Sequence, residues 1–237
     1  MLKLLSAVGL AVSAQAFAVS VPAVPESCFD ELLERRTCAV YTAPATKGPV
    51  SITFFNLVYR SDFPEMESLR KRYLDFNQWP AYLLDLEETV IDFKGSLALE
   101  SYTTLNESGE EVEVSPHFRD YVTKAPFPIF KLHIRHVINN WEVAAFEGAD
   151  RSFEFAMEKG PVTLPDGSVL EEPEGLIEER GYIHETPCLN TEFCDEGMFM
   201  IIFDGVIHPK TDILPRVTAP YIKQTIEDFL RSQLLIL

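Results

Sequence analysis

The chain has 237 residues, of which 46% are hydrophobic and 24% are charged, and its formal net charge at neutral pH is −17. So acidic a surface repels nucleic acid and anionic lipid headgroups, which argues against both as partners. Colloidal stability of a secreted protein is the simplest reason for the charge, and a basic protein partner is the alternative. The length suffices for one sizeable core or two small ones.

The N-terminus has the pattern of a secretory signal peptide. Lys3 is the only charge in the first 25 residues, and an apolar run at 4–14 precedes Ala16-Phe17-Ala18. That triplet is the small-x-small pattern that signal peptidase reads. The apolar run is shorter than the roughly 20 residues that cross a bilayer core. We therefore predict export and removal of residues 1–18, with a retained anchor helix as the alternative.

The four cysteines form two close pairs in sequence, Cys28 with Cys38 and Cys188 with Cys194. Four cysteines allow three pairings, between which the sequence alone does not decide. Two local disulfides are the economical prediction, because each closes a short loop in an oxidising compartment. A zinc site is the alternative, although neither spacing is CxxC. The first pair would clamp a proline-rich leader at 19–49, in which a short helix is predicted at 29–36.

Regular structure begins with a strand predicted at 50–59. Because its residues are apolar on both faces, we expect both faces of this strand to be buried. A helix is predicted from 61–64, where capping side chains precede a proline. It carries an apolar stripe from Met66 to Phe76 and ends before Pro80.

The middle of the chain is predicted to be rich in strands, from the alternation of apolar and polar residues. Strands at 89–93 and 97–105 are expected to meet at a Lys94-Gly95 turn. Asn139-Asn140 is expected to be the turn after a strand at 130–138. Residues 106–128 read as a long acidic loop. Further predictions are a strand at 141–146, a strand at 151–159, a turn at 165–168, a strand at 176–185 and an apolar central strand at 197–207.

The end of the chain changes period from strand to helix. Thr218-Ala219-Pro220 is expected to cap a long amphipathic helix whose apolar face includes Tyr221, Ile222 and Ile226. The element order is therefore strand, helix, about six antiparallel strands and a terminal helix. An antiparallel sheet that curls around this helix would bury its apolar stripe.

This order, the segment Tyr73-Leu74-Asp75-Phe76-Asn77-Gln78-Trp79-Pro80 and the helix at 218–234 resemble the START-like, or SRPBCC, superfamily, which includes polyketide cyclases and lipid-transfer domains. The resemblance implies an α+β helix-grip fold over residues 50–237, in which a curved antiparallel sheet of about six to seven strands wraps around a long C-terminal helix. The leader and the Cys188–Cys194 loop depart from the family pattern.

The resemblance also implies a cavity between sheet and helix that holds a lipid, sterol or other apolar small molecule. Aromatic and methionine side chains suit such a lining, although each of them could equally be plain core. The inward-facing candidates are Phe130, Leu132, Ile134, His136, Phe153, Phe155, Met157, Met200, Ile202, Ile222, Ile226 and Phe229.

Catalytic signatures are mostly absent, since the sequence lacks the motifs GxSxG, HExxH, GxGxxG and GxxxxGK[ST]. His133 and His136 point to opposite faces of a strand and cannot readily share a metal. His136 reads as a core imidazole or a group in the cavity, and Arg180, Tyr182 and His184 read as a solvated face. Adjacent glutamates such as Glu178-Glu179 read as solvated charge. We predict no cofactor and no metal.

Three functions remain open at the level of sequence. The first is an exported, non-enzymatic domain that binds or carries an apolar small molecule. The second is a secreted interaction module with a solid core, which uses its acidic surface or the loop 106–120 to bind a protein. The third is a cyclase- or hydrolase-like enzyme in which His136, or Arg180, Tyr182 and His184, act as acid–base groups.

Overall fold

The structure is a computed structural model that describes residues 20–59, 70, 91–106, 109–126 and 128–234, with the backbone alone for Phe93 and 228–234. The predicted signal peptide lies outside the described residues. So do almost all of the predicted helix after residue 60 and the whole Tyr73–Pro80 segment.

The described chain consists of two α-helices and eleven strands. A short 3-10 helix at Glu26–Cys28 leads into the first α-helix. The bounds are α1 Phe29–Arg35, β1 Thr37–Thr42, β2 Val50–Tyr59, β3 Ile91–Ala98, β4 Tyr102–Leu105, β5 Glu111–Lys124, β6 Lys131–Val143, β7 Arg151–Met157, β8 Val162–Thr163, β9 Val169–Leu170, β10 Leu176–Pro187, β11 Met198–Pro209 and α2 Pro215–Leu234.

One antiparallel sheet organises the fold. Its strand order is β1-β2-β11-β10-β7-β6-β5-β3, and β4 pairs with β5 to make nine strands, while β8 and β9 form a separate ribbon. The prediction of six to seven strands is therefore too low. The strand β1, which lies in the leader, pairs with β2 along the whole length of β1. The leader therefore extends the same sheet. The predicted α+β class and the C-terminal helix against an antiparallel sheet are confirmed.

Three predicted loops and turns are wrong. Lys94 is the extra residue of a bulge within β3, because the register shifts between Phe93 and Gly95 and the strand continues. Residues 106–128 are mostly the strand β5, entered from β4 through a tight turn at Gly109. Its acidic residues alternate with valines, and a strand tolerates charge on a solvated side.

The Asn139-Asn140 turn is wrong as well. Both asparagines lie inside β6, because β5 pairs with them on one side and β7 on the other. Pairing on both sides overrides the local preference of Asn for turns. The chain reverses further on, where Ala149 N donates to Phe146 O and Gly148 has a φ of 92°.

The outer face of the sheet, which faces away from α2, is covered in part by the leader. Cys28 and Leu32 are fully buried there against Phe55 and Leu57 of β2. The two predicted local disulfides are confirmed, Cys28–Cys38 and Cys188–Cys194, and both belong to this cluster. The leader and the β10–β11 connection therefore lie on the same side of the sheet.

The helix α2 packs on the inner face of the sheet. It begins at Pro215, three residues before the predicted cap, because Pro is favoured at the first helical position. Thr218 is therefore helical, and its hydroxyl donates to the carbonyl of Pro215 at 3.1 Å. Ile222 and Ile226 pack against a cluster of buried residues from β1 and β2.

Candidate functional site

A cavity of about 120 Å³ lies between the inner face of the sheet and α2. One buried water takes about 10–15 Å³ in this measure, so the cavity corresponds to roughly ten waters. Most of its surface is apolar. Its walls include Ile52, Phe54, Leu132, Ile134, Phe155, Ile183, Phe203, Ile207, Ile222 and Ile226, and its polar members include Arg119, Tyr121, Thr123, Asn140, Glu179, Thr218 and Thr225.

Gly205 forms part of the floor of the cavity, and a second glycine pairs with it in the sheet. Gly181 of β10 is paired with Gly205 of β11, and the same row of the sheet continues to Phe155 on one side and Ile52 on the other. A Cβ atom on Gly205 would lie 2.6 Å from the carbonyl oxygen of Arg180 and 3.2 Å from the Phe155 ring. Glycine in a strand interior often marks a close approach of this kind. The bare backbone leaves room above it for the Phe155 ring and the cavity.

Two threonine hydroxyls connect α2 to the sheet beside the cavity by a hydrogen bond. The Thr225 hydroxyl donates to the carbonyl of Tyr221 at 2.8 Å, so it accepts the hydrogen bond that joins it to Thr123 at 2.6 Å. Both threonines are buried. The helix is therefore held against the sheet beside the cavity by apolar contacts and by one hydrogen bond between side chains.

A buried ionic group lies on the inner face at one side of the cavity. Arg119 Nη1 donates to Glu179 Oε1 at 3.1 Å, and the two side chains are 6% and 11% exposed. His136, which is fully buried, places Nε2 2.9 Å from Glu179 Oε2, although the direction of the N–H does not meet the geometry of a hydrogen bond. The positive charge of Arg119 and the negative charge of Glu179 thus compensate each other in a largely apolar wall.

The charges of this group follow from its surroundings. Burial by itself raises the pKa of the Glu179 carboxyl, but Arg119 and His136 lower it more strongly, and the resulting pKa is about 2. Burial lowers the pKa of His136, against the opposite influence of Glu179. Burial and the negative charge of Glu179 both raise the pKa of Tyr121. At neutral pH the carboxylate is therefore charged, while the imidazole and the phenol are neutral.

Asn140 is a polar residue of the cavity wall whose side-chain amide is buried without hydrogen bonds. It is 4% exposed, and neither its Oδ1 nor its Nδ2 has a hydrogen-bond partner among the described residues. Its neighbour Asn139 points to the outer face and donates to Glu158 at 3.1 Å. A buried amide without partners is uncommon in a folded protein and calls for an explanation.

Five of the predicted lining residues do line this cavity: Leu132, Ile134, Phe155, Ile222 and Ile226. Three others lie on the inner face or within its core but not in the cavity wall. Phe153 and Met157 pack in two buried hydrophobic clusters, and His136 lies behind Glu179. The side chain of Phe229 lies outside the described residues.

Three predicted lining residues lie away from the cavity. Met200 and Ile202 point to the outer face, where they pack against the disulfide-bonded leader. The strand β11 is apolar on both faces, so its sequence does not tell which face meets α2. Phe130 precedes β6 and is 63% exposed, with a φ of 62° that turns the chain there.

The polar residues of the cavity wall are not apparent from the local sequence patterns. Arg119 and Tyr121 fall in the segment that was expected to be a loop, Glu179 reads as one of two solvated glutamates, and Asn140 reads as a turn residue. The expected solvated face on β10 is wrong for His184, which is 1% exposed and has Nδ1 3.0 Å from the Ser152 hydroxyl. Alternation along β5, from Val112 onward, indicates a strand, but it places Arg119 and Tyr121 on the face opposite the valines, so it does not reveal that both are buried.

Within the described part of the chain, no three His, Cys, Asp or Glu side chains come close enough to hold a metal ion. Among the described helices, none is both long and apolar enough to cross a membrane.

The fold and the cavity together define a helix-grip domain, as the START-like resemblance predicted. No protein-family model matches the sequence, and no curated protein is similar to it in sequence. Solved structures of other proteins are similar to it in fold.

Human STARD10 is 12% identical, with 91% of this chain and 82% of that chain covered and a TM-score of 0.45. The protein TTHA0849 from Thermus thermophilus is 7% identical, with coverages of 84% and 95% and a TM-score of 0.40. A START superfamily protein from Mycobacterium smegmatis is 8% identical, with coverages of 83% and 92% and a TM-score of 0.37. Similarities this distant concern the fold alone, so any inference about function must come from the residues of this chain.

Proposed function

We propose that this chain binds an apolar small molecule, of lipid-like character, in the cavity between the sheet and α2. The observation that carries the proposal is a cavity of about 120 Å³ whose wall is formed mainly by apolar side chains of six strands and one helix. Protein interiors are close-packed, and this partly open cavity leaves a largely apolar wall without the dispersion contacts of a packed core. Filling it with an apolar ligand restores those contacts.

We also propose that the protein acts outside the cytoplasm, after removal of residues 1–18. Its two disulfides are consistent with an oxidising compartment. Residues 19–49 would then be the N-terminal part of the mature chain, and residues 50–237 would be the ligand-binding domain. A carrier or a reservoir for an apolar molecule suits an aqueous compartment, in which such molecules dissolve poorly.

Native mass spectrometry of the protein purified from its own host tests ligand binding directly. The expected result is a bound apolar mass that is released on denaturation and recovered by solvent extraction. A variant that fills the cavity, Leu132→Trp, should lose that mass. Val169→Trp is a matched control, because Val169 is 49% exposed on the β8–β9 ribbon and is not part of the cavity wall.

Two results would contradict the proposal. One is a clean apo mass from the native source, together with no mass shift when apolar molecules are added. The other is retention of the bound mass by Leu132→Trp, which would place the ligand elsewhere. The first result would favour the alternative of an interaction module with a solid core.

A further inference from the structure

Asn140 differs from the other buried asparagines of the sheet. Asn56 accepts a hydrogen bond from the Thr37 hydroxyl at 3.0 Å and donates to the carbonyl of Ile201 at 3.2 Å. Both polar atoms of Asn140 lack a partner among the described residues, although its side chain is as deeply enclosed and forms part of the cavity wall. An amide that is buried without partners costs free energy, so the cavity is where its partner would have to come from.

The chemistry of the carboxamide restricts that partner. Oδ1 only accepts hydrogen bonds and Nδ2 only donates them. A hydroxyl or another carboxamide can satisfy both atoms at once. A carboxylate has acceptors alone and would face Oδ1 with a negative charge, whereas an ammonium has donors alone and would face Nδ2.

The ionic pair in the same wall points to an uncharged ligand. Arg119 already binds Glu179, and the opposite charges of the two side chains compensate each other. An anionic ligand would have to compete with Glu179 for Arg119, and a cationic one would have to compete with Arg119 for Glu179. A charge brought into this largely apolar cavity would otherwise remain uncompensated, which is costly.

The cavity is partly open, so its volume sets the size of the part of the ligand that it encloses. Space for roughly ten waters accommodates on the order of ten non-hydrogen atoms. An apolar body of about that size would lie over Gly205, which shares a row of the sheet with Asn140 through Gly181 and Phe155.

We infer that Asn140 is the polar recognition residue of the cavity, and that the ligand is an uncharged amphiphile with a hydroxyl or carboxamide group on an apolar body. The inference rests on the proposed binding of an apolar molecule and adds the chemistry of its polar end.

Four probes with the same ten-carbon chain test the inference on the purified full chain: decanol, decanamide, decanoate and decane. Binding is measured by isothermal titration calorimetry, or by native mass spectrometry where solubility is limiting. The variant is Asn140→Leu, and the control is Asn139→Leu, which makes the same change on the opposite face of β6. Thermal unfolding of each protein is recorded in parallel.

Decanol and decanamide should bind the wild type at least about tenfold more tightly than decane or decanoate, because each satisfies both atoms of the amide. In Asn140→Leu this preference should disappear while decane binds as before, and the thermal midpoint should stay equal or rise. Asn139→Leu should keep the preference.

The possible failures are distinguishable. Binding of none of the four probes would refute the proposed function and this inference with it. Equal binding of decane and decanol by the wild type would overturn the role of Asn140 while leaving apolar binding intact. Should Asn140→Leu fail to fold or lose decane binding as well, the amide would be a structural group, and the inference would be wrong.

Discussion

The buried ion pair of the cavity wall gives the sharpest prediction about stability. Glu179→Gln keeps the shape of the side chain and removes the negative charge that faces Arg119. Because both side chains are about nine-tenths buried, the guanidinium would be left in an apolar wall without that carboxylate. Breaking a buried pair in this way costs about 3–5 kcal/mol. For a chain of this length, the thermal midpoint should fall by roughly 6–20 °C.

The chain offers a matched control on its surface. Lys210 and Glu172 are 3.2 Å apart, almost the same distance as the buried pair, but their side chains are 53% and 73% exposed. Glu172→Gln should therefore cost no more than about 1 kcal/mol, because water screens an exposed pair. The double variant Arg119→Met with Glu179→Leu should recover much of the loss, since apolar residues of similar volume often replace a buried pair without cost.

Urea unfolding at neutral pH measures all of these variants on one scale. Equal and small losses for Glu179→Gln and Glu172→Gln would refute the reasoning, because burial would then not distinguish the pairs. Acid titration adds a second test. The pKa of Glu179 is lowered from 4.5 to about 2 by folding, so its contribution to stability is complete above about pH 4.5 and is lost as the pH falls toward 2. Glu179→Gln should flatten the stability profile in that window, and an unchanged profile would contradict the charge assignment.

Three further predictions concern other parts of the fold. Gly181→Ala should destabilise the fold strongly, because the new Cβ would lie 2.2 Å from a backbone oxygen of the neighbouring strand. Gly95→Ala is the control and should be nearly neutral, because its Cβ would meet nothing within 4 Å. Equal denaturation midpoints for the two variants would contradict this prediction. Burial lowers the pKa of His184, so stability should fall as the pH drops below about 6.5, where the unfolded chain takes up the proton more readily. His184→Asn should reduce that slope in urea titrations at several pH values but not abolish it, because burial lowers the pKa of His136 as well; an unchanged slope would contradict the prediction. Replacing Cys28 and Cys38 together by serine should lower the free energy of unfolding by about 2.7 kcal/mol, because a cross-link at a sequence separation of 10 is lost. An unaltered thermal midpoint in calorimetry would show that the leader is held by packing alone.

The sequence by itself determined the features that depend on neighbouring residues. The strand at Val50–Tyr59 has the bounds that its apolar pattern predicts, and the amphipathic period predicts the terminal helix to within three residues of its start. The two disulfides follow from short separations, because a short loop brings its own ends together. The class of fold follows from the order of these local signals, whereas export stays a prediction.

The tertiary structure decided which side chains meet in the cavity. Arg119 and Glu179 lie on strands that are 60 residues apart in sequence, and nothing in either local pattern shows that a curled sheet brings them within 3.1 Å. Asn140 looks like a turn residue until strands pair with it on both sides. Met200 and Phe203 lie on opposite faces of a strand that is apolar on both, so the position of the helix alone selects the face that lines the cavity. Period and spacing thus specify the elements, whereas pairing across the sheet specifies the site.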